Sequence, residues 1–265
     1  MGRLLLAEGG EFTPPGVGDF FLPPIFGGVT KPMVLVVLSV LIIIGFFMIS
    51  SRNLRIVPSR LQFAAESVYD FGRNNIAREQ IGSKDFQPFV PLILSLFTFV
   101  LVNNLFGIIP ILQFPTMSHI GFPLALSVLI VYPVYHGVGI RRHGLGGYLK
   151  KELFPPGAPK AVYLLLTPIE AFTKFFMNPL TLAIRVFAAM FAGHLILLVF
   201  TLAGEFMMSQ VHDFGSALFN GGVGLVSWVF AIGLTFLEAL IQVIQAYIFA
   251  LLAAAYIGMA LAHEH

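Results

Sequence analysis

The sequence predicts an all-α integral membrane protein with about five membrane segments plus an amphipathic surface helix, the last two segments being long, tilted and antiparallel. Of its 265 residues, 57% are hydrophobic and only 11% are charged, whereas soluble domains carry about 25% charged residues. The mean hydropathy is +0.89. Several uncharged stretches also exceed the roughly 20 residues that cross a bilayer. The net charge of +2, with no long basic tract, argues against nucleic-acid binding. The lack of cysteine excludes disulfides and thiolate metal sites.

The gaps between charged residues locate the five segments. Uncharged stretches cover 32–51, 86–140, 186–204 and 214–263, the last interrupted by Glu238. The stretch 86–140 is long enough for two segments, which turn signals at 110–115 and 119–121 would divide. Between the first two segments, Leu61, Ala65, Val68 and Phe71 recur at helical spacing, which predicts an amphipathic helix over 58–81 on the membrane surface.

The last two segments are too long to cross a membrane upright. A helix over 224–262 would measure about 58 Å at 1.5 Å per residue, against a hydrocarbon core of about 30 Å. It must be strongly tilted or else broken near Gly233. The same holds for 161–204, which Pro168 and Pro179 are able to divide.

Two basic regions set the orientation. One follows the first segment, and the other is a predicted loop that contains Arg141, Arg142, Lys150, Lys151 and Lys160. The connections at 113–120 and 205–220 contain neither Lys nor Arg. By the positive-inside rule both basic regions are cytoplasmic, so five segments put the N-terminus outside and the C-terminus in the cytoplasm. Residues 1–32, rich in Pro and Gly, are predicted to form an extended extracytoplasmic tail, and 33–265 a single transmembrane domain.

Two ionisable residues, Arg185 and Glu238, fall deep inside uncharged segments. An Arg at the bilayer centre costs roughly 3 kcal/mol, so it needs a partner, a hydrated cavity or a function. Small or polar residues share the helical face of Arg185, which would let another helix approach. They are Asn178, Thr181, Ala188, Ala189 and Ala192.

The face of Glu238 carries a stripe of polar residues, Thr235, Gln242 and Gln245, which suggests a hydrated path. In an antiparallel pair, His194 lies nine residues outward of Arg185, and Glu238 lies seven residues outward of Gln245. If Arg185 is level with Gln245, His194 lies near Glu238.

Structural interpretations compete with these functional ones. Arg185 would serve equally as an anchor or a lipid-headgroup ligand, the glutamines as polar links between helices, and Glu170 with Lys174 as a plain i, i+4 pair. His119, His136, His143 and His212 fall at or near predicted loops, and their spacing does not favour a metal site. No metal and no cofactor is expected. The chain also lacks a phosphate-binding GxxxxGK[ST] run, so no bound nucleotide is expected either.

Three runs carry a resemblance to a known family. Residues 182–194, LAIRVFAAMFAGH, resemble the signature of subunit a of F-type ATP synthases, LxxRLFxNxxAG[EH]. Residues 104–110, NLFGIIP, are similar to the family's NLxGLxP, and 245–252, QAYIFALL, to its QA[FY][IV]FxxL. The closing His-Glu-His is also typical of members. Two departures from the pattern matter: Ala189 replaces the expected Asn, and His194 and Glu238 exchange the places that an acid and a His occupy in the familiar bacterial form.

The resemblance implies a proton-translocating stator subunit of a rotary F-type ATP synthase, itself non-catalytic, in the bacterial plasma membrane or, as second choice, the mitochondrial inner membrane. Its partners would be a ring of c subunits and the peripheral-stalk b subunits, and the ion a proton, with sodium left open. Arg185 would separate two half-channels, lined by His194, Glu238, Gln245, Gln242 and Asn104, with Glu170 at the inner one. The rivals are a stand-alone secondary transporter or channel in which Arg185 binds an anionic substrate, and a non-conducting scaffold.

Overall fold

The computed structural model describes residues 12, 14–25, 27–154 and 162–262, and no β-strand occurs among them. Six helices form the bundle: α1 Lys31–Ser51, α2 60–81, α3 Gln87–Leu105, α4 Gly121–Leu153, α5 Tyr163–Ser209 and α6 Phe214–Leu261. All but α2 are long and apolar enough to cross a membrane. The predicted all-α membrane fold with five segments is therefore confirmed.

The helices α5 and α6 form a long antiparallel pair. They contain 47 and 48 residues, or about 70 Å each at 1.5 Å per residue, so they fit a 30 Å core only when strongly tilted. Neither is broken at the expected places, because Pro168 and Gly233 both lie within continuous helix. The wider turn Thr173–Met177 directly precedes Pro179 and lets the helix continue through a residue that lacks an amide hydrogen.

Small residues bring α5 and α6 together. A side chain at Gly204 would collide with the indole of Trp228, and one at Gly224 would come within 2.9 Å of the Met208 side chain. Glycine at both positions permits backbone contact between the two helices, as is usual in membrane bundles. This contact fixes the antiparallel register on which the polar residues farther along depend.

The predicted amphipathic helix α2 is present, and its apolar face packs on the bundle. Ile76 and Ala77 are buried in the main core, which α3, α4, α5 and α6 complete, and the ring of Phe71 contacts that of Tyr247 on α6 at 5.6 Å. The expected phase was wrong at one end: Leu61 is 54% exposed, while Gln62 beside it is buried. Gln62 bonds both backbone polar groups of Arg55, which ties α2 to the preceding loop.

The helix α4 turns back on itself at Gly144, whose φ of 72° is accessible chiefly to glycine. Residues 145–153, here called the return segment, are therefore helical, and the prediction of a loop from Arg141 to Lys151 was wrong. Lys151 on this segment donates to the carbonyls of Met259 and Ala262, which caps the end of α6. Lys160 lies outside the described residues. The end of the bundle that carries the return segment is called the basic end below.

The N-terminal tail is partly packed. Where it is described, it forms a short helical turn, Val17–Phe20, and Phe20 is only 4% exposed, in a cluster with Leu35, Phe106 and Phe114. The expectation of a simply extended tail was therefore wrong for this stretch, because an aromatic side chain anchors it. The terminal residues 263–265, with the His-Glu-His motif, lie outside the described residues.

Candidate functional site

The predicted meeting of His194 and Glu238 is confirmed. Nδ1 of His194 on α5 lies 3.7 Å from Oε1 of Glu238 on α6, and the two side chains are 3% and 4% exposed. Gly193 leaves the space between the helices open, since a side chain there would touch Glu238 at 3.7 Å. A proton acceptor and a proton donor thus face each other deep inside the bundle.

Gln242 and Asn104 extend this pair across the bundle. Nε2 of Gln242 donates to Oε1 of Glu238 over 3.2 Å, and Nδ2 of Asn104 donates to the backbone carbonyl of Gln242 over 3.3 Å. Both side chains are fully buried. Gly107 makes room for the amide, because a Cβ at that position would lie 3.1 Å from Nε2 of Gln242.

Many polar atoms around this pair are buried without a hydrogen-bond partner among the described residues. They belong to Thr116, His119, His194, Glu238, Gln242, Gln245, Asn103 and Asn104. Native proteins pair more than about 90% of such groups, with protein or with ordered water. These residues belong to the Thr116–Ser118 turn with His119 after it, to α3, and to α5 and α6, and together they are called the buried path below. Unpaired buried polar atoms of this kind suit ordered water molecules.

The end of this path opposite the basic end is lined by aromatic side chains. The ring of Phe20 lies 5.9 Å from that of His194, and His119 contacts the rings of Phe21 and Phe114. Burial lowers the pKa of His119, so its ring favours the neutral form. A cavity of about 680 Å³ opens beside His119 and Phe20. Sequence reasoning missed Phe20 and left His119 without a role.

Arg185 lies on the flank of the bundle, where its side chain is exposed together with Thr181, Ala188 and Ala192. The described residues give it no hydrogen bond and no ion pair, and it interacts electrostatically with Tyr256 on α6. No hydrogen bond joins it to Gln245, although the His194–Glu238 contact sets these two residues at about the same level. The predicted small-residue face is therefore present and uncovered.

Glu170 lies in a second cluster, at the basic end. Its Oε2 is 3.6 Å from Nζ of Lys174, as the i, i+4 spacing predicts. The same ammonium lies closer, at 2.8 Å, to Oε2 of Glu152 on the return segment. Sequence reasoning missed Glu152, and also put His136 at a loop, whereas His136 lies within α4 and stacks on Phe175 at 5.1 Å. The Gly-rich run at 144–147 indicates a turn, although it does not show where the chain returns.

Comparison with known proteins agrees with the resemblance. A family model described as ATP synthase A chain matches residues 33–258. ATP synthase subunit a of Nocardioides sp. is 43% identical over 98% of this chain and 96% of its own length. The proteins of the same name from Rhodococcus erythropolis and Streptomyces lividans are 38% and 37% identical over 96% and 97% of this chain, and 93% and 91% of their own lengths. This chain belongs to the ATP synthase subunit a family.

Proposed function

We propose that this chain is the proton-translocating stator subunit of a rotary F-type ATP synthase, with two half-channels that Arg185 separates. The observation that supports this function is the row of buried, unpaired polar atoms from His119 through the His194–Glu238 pair to Gln245. This row ends at the level of an uncovered arginine. Such groups are costly in a membrane unless they serve a path for an ion.

In this proposal a ring of c subunits packs against the flank around Arg185. The exposed side chains beside it, Thr181, Ala188 and Ala192, are small enough for another helix to come close. A ring carboxylate passing the flank meets a guanidinium that does not lose its proton, because its pKa exceeds about 12. Arg185 therefore stabilises the ionised carboxylate. Peripheral-stalk b subunits hold this chain against the ring, and nucleotide chemistry belongs to other subunits.

Protons move between water and the ring through the buried path. His194 and Glu238 accept and release a proton as one unit, since a carboxylate and an imidazole exchange a proton over a short distance. Gln242 orients the carboxylate, Asn104 supports the backbone of Gln242, and Gln245 leads toward the ring. Compared with the familiar bacterial pattern, the His and the acid have exchanged helices, so α5 and α6 still provide one base and one acid. Ala189 stands at the position of the family's Asn, so the lining of the half-channel lacks that polar side chain.

The second half-channel opens at the basic end, where Glu170 is the acid that the family pattern favours. The positive-inside rule directs this end to the cytoplasm and the N-terminus to the outside of a bacterial plasma membrane. The range 33–265 then acts as a single proton-channel domain. The ion is a proton in this proposal, and sodium remains the alternative that ring chemistry would decide.

The flank position of Arg185 argues against a stand-alone transporter. Small-molecule sites are concave and bury most of their ligand, whereas Arg185 is exposed on a helix face bordered by small residues. A non-conducting scaffold has no use for a row of unpaired buried atoms. A rotating ring uses both features.

The proposal is tested by replacing Arg185 in the assembled ATP synthase. We expect Arg185→Ala to lower ATP-driven proton pumping in membrane vesicles by at least about 100-fold, the loss that removal of one preorganised electrostatic stabiliser causes. Assembly should survive, because no described residue depends on Arg185 for an ion pair. Arg185→Lys should fail as well, since a compact ammonium lacks the planar fork. Arg60→Ala, at an exposed arginine of α2, is the control. Normal pumping by Arg185→Ala would refute the function.

A further inference from the structure

We infer that Glu152 is the residue that takes up and gives off protons at the basic end, with Tyr135 as its relay toward the ring. This inference rests on the proposed function, and it names the group that serves the second half-channel. Glu170, which the family pattern favours, becomes a residue at the opening to water. Nothing in the local sequence around Glu152 points to this role, because its position depends on a turn in α4.

The turn at Gly144 carries a carboxyl group back into the bundle. The return segment runs back beside the preceding part of α4, so closely that a side chain at Gly139 would collide with the ring of Tyr148. Glu152, near the end of this segment, is only 5% exposed. Most carboxylates in a basic loop would be solvated, and this one is buried among aromatic residues.

A series of polar side chains, called the polar chain below, starts at this carboxyl group. The hydroxyl of Tyr135 interacts with the side chains of Glu152 and Tyr148, the rings of Tyr135 and Tyr148 lie 6.3 Å apart, and Nδ1 of His136 lies 2.6 Å from the hydroxyl of Tyr148. Hydroxyl groups both donate and accept, so they pass protons without being ionised at rest. The polar chain thus comprises two side chains before Gly144 and two on the return segment.

The polar chain continues toward Arg185 through two more tyrosines. The ring of Tyr132 packs on those of Tyr135 and Tyr256, at 5.7 and 6.1 Å. Tyr132 is 6% exposed, and its hydroxyl makes no well-formed hydrogen bond among the described residues. Tyr256 in turn interacts electrostatically with Arg185. A buried hydroxyl left unpaired between two parts of a polar chain suits a water molecule that carries a proton across.

The opposite end of the polar chain reaches water at Lys174 and Glu170. Their side chains are about one quarter exposed, whereas that of Glu152 is 6% exposed. When ATP is consumed, a proton from water bonds to an oxygen of the Glu152 carboxylate. The proton then leaves through the Tyr135 hydroxyl toward the ring, and the carboxylate is restored. Synthesis runs the same steps in reverse. The ammonium of Lys174, 2.8 Å from Oε2 of Glu152, holds this carboxyl group in place between transfers.

A purely structural role predicts a different behaviour. If Glu152 only clamps the return segment to α5 through Lys174, its loss lowers stability and reduces activity equally at every pH. A proton acceptor matters most where protons are scarce. The groups around Glu152 are Tyr132, Tyr135, His136 and Tyr148 from α4, and Lys174 and Glu170 from α5. All of them are expected to stay in place in Glu152→Gln.

The test uses the whole ATP synthase in inverted vesicles, with the basic end facing the medium. We expect Glu152→Gln to slow ATP-driven pumping modestly at about pH 6 and by about tenfold or more at about pH 9, with assembly and melting temperature near wild type. Glu152→Asp should recover part of the rate. Glu170→Gln should cause a smaller loss. Glu79→Gln, at an exposed carboxyl of α2, should pump as wild type.

Tyr135→Phe keeps the ring and removes the hydroxyl. It provides the same test if Glu152→Gln fails to assemble, and its loss of pumping rate should also grow with pH. A loss that is equal at all pH values, or no loss in an assembled complex, would overturn the role of Glu152. Such an outcome leaves the proposed function standing as long as wild type pumps and Arg185→Ala does not. If wild type does not pump, the proposed function itself is refuted.

Discussion

The His194–Glu238 pair gives the sharpest test of the buried path. Glu238→Gln preserves volume and keeps an oxygen to accept from Gln242, so it removes proton exchange while leaving the hydrogen bond. Glu238→Ala would in addition leave a buried amide unpaired, at about 1 to 3 kcal/mol. Because a positioned acid or base contributes about 100-fold or more, we expect His194→Gln and Glu238→Gln each to lower proton flux by about 100-fold. Each loss corresponds to about 2.7 kcal/mol.

The exchanged double variant, His194→Glu with Glu238→His, separates a pair from two independent residues. The matching single variants, His194→Glu and Glu238→His, should each also lose about 100-fold, so independent effects would add to about 5.4 kcal/mol. Since the side chains lie 3.7 Å apart, the exchange should restore one acid facing one base and bring flux to within about tenfold of wild type, a coupling of about 4 kcal/mol. Glu205→Gln, at an exposed carboxyl of α5, is the control. The pairing is wrong if the exchanged complex assembles but conducts no better than the worse single variant.

Two further predictions concern packing and pH. Gly139→Ala should lower the free energy of unfolding by about 1 to 3 kcal/mol, because its methyl group would collide with Tyr148. Gly137→Ala is the control, since its methyl group would have open space. Thermal melting compares the two variants, and equal melting temperatures would contradict the prediction. Because burial holds the pKa of His119 below its ordinary 6.5, its contribution to stability is present above pH 6.5 and is lost as pH falls through the lowered pKa. Melting of His119→Gln should therefore fall less on acidification than that of wild type, and parallel curves would exclude this effect.

The predictions that succeeded rest on local periodicity and fixed geometry. Charges avoid hydrocarbon, so the gaps between them gave the five segments. The rise per residue is constant in a helix, so counting from Arg185 and Gln245 brought His194 to Glu238 before any contact was known. The prediction that Leu61 lies on the buried face was wrong, because the packing of α2 on α3 and α6 decides which face is buried. A periodic pattern alone fixes that face only to within one or two residues.

The basic-end cluster could not be predicted in the same way. Its position depends on the backbone of one residue, Gly144, whose positive φ reverses the chain. Glu152 falls within the predicted basic loop, where most acids are solvated, so the charge pattern did not single it out. The choice between a tilted and a broken α5 stayed open in the sequence for a related reason. A wider helical turn before Pro179 absorbs the missing amide hydrogen, and such turns leave little trace in a single sequence.

The two polar clusters lie on opposite sides of the level of Arg185, and this offset is what a rotary path requires. The His194–Glu238 pair is about 10 to 14 Å toward one end at 1.5 Å per residue, whereas Tyr256 and Glu152 lead toward the basic end. A permanent cation between them repels any proton that tries to pass directly. In the proposed function, the remaining route between the clusters is on a ring carboxylate that is carried around. Rotation and proton transfer are then coupled by the charge at one position, and the two clusters determine only the rate of proton transfer on each side.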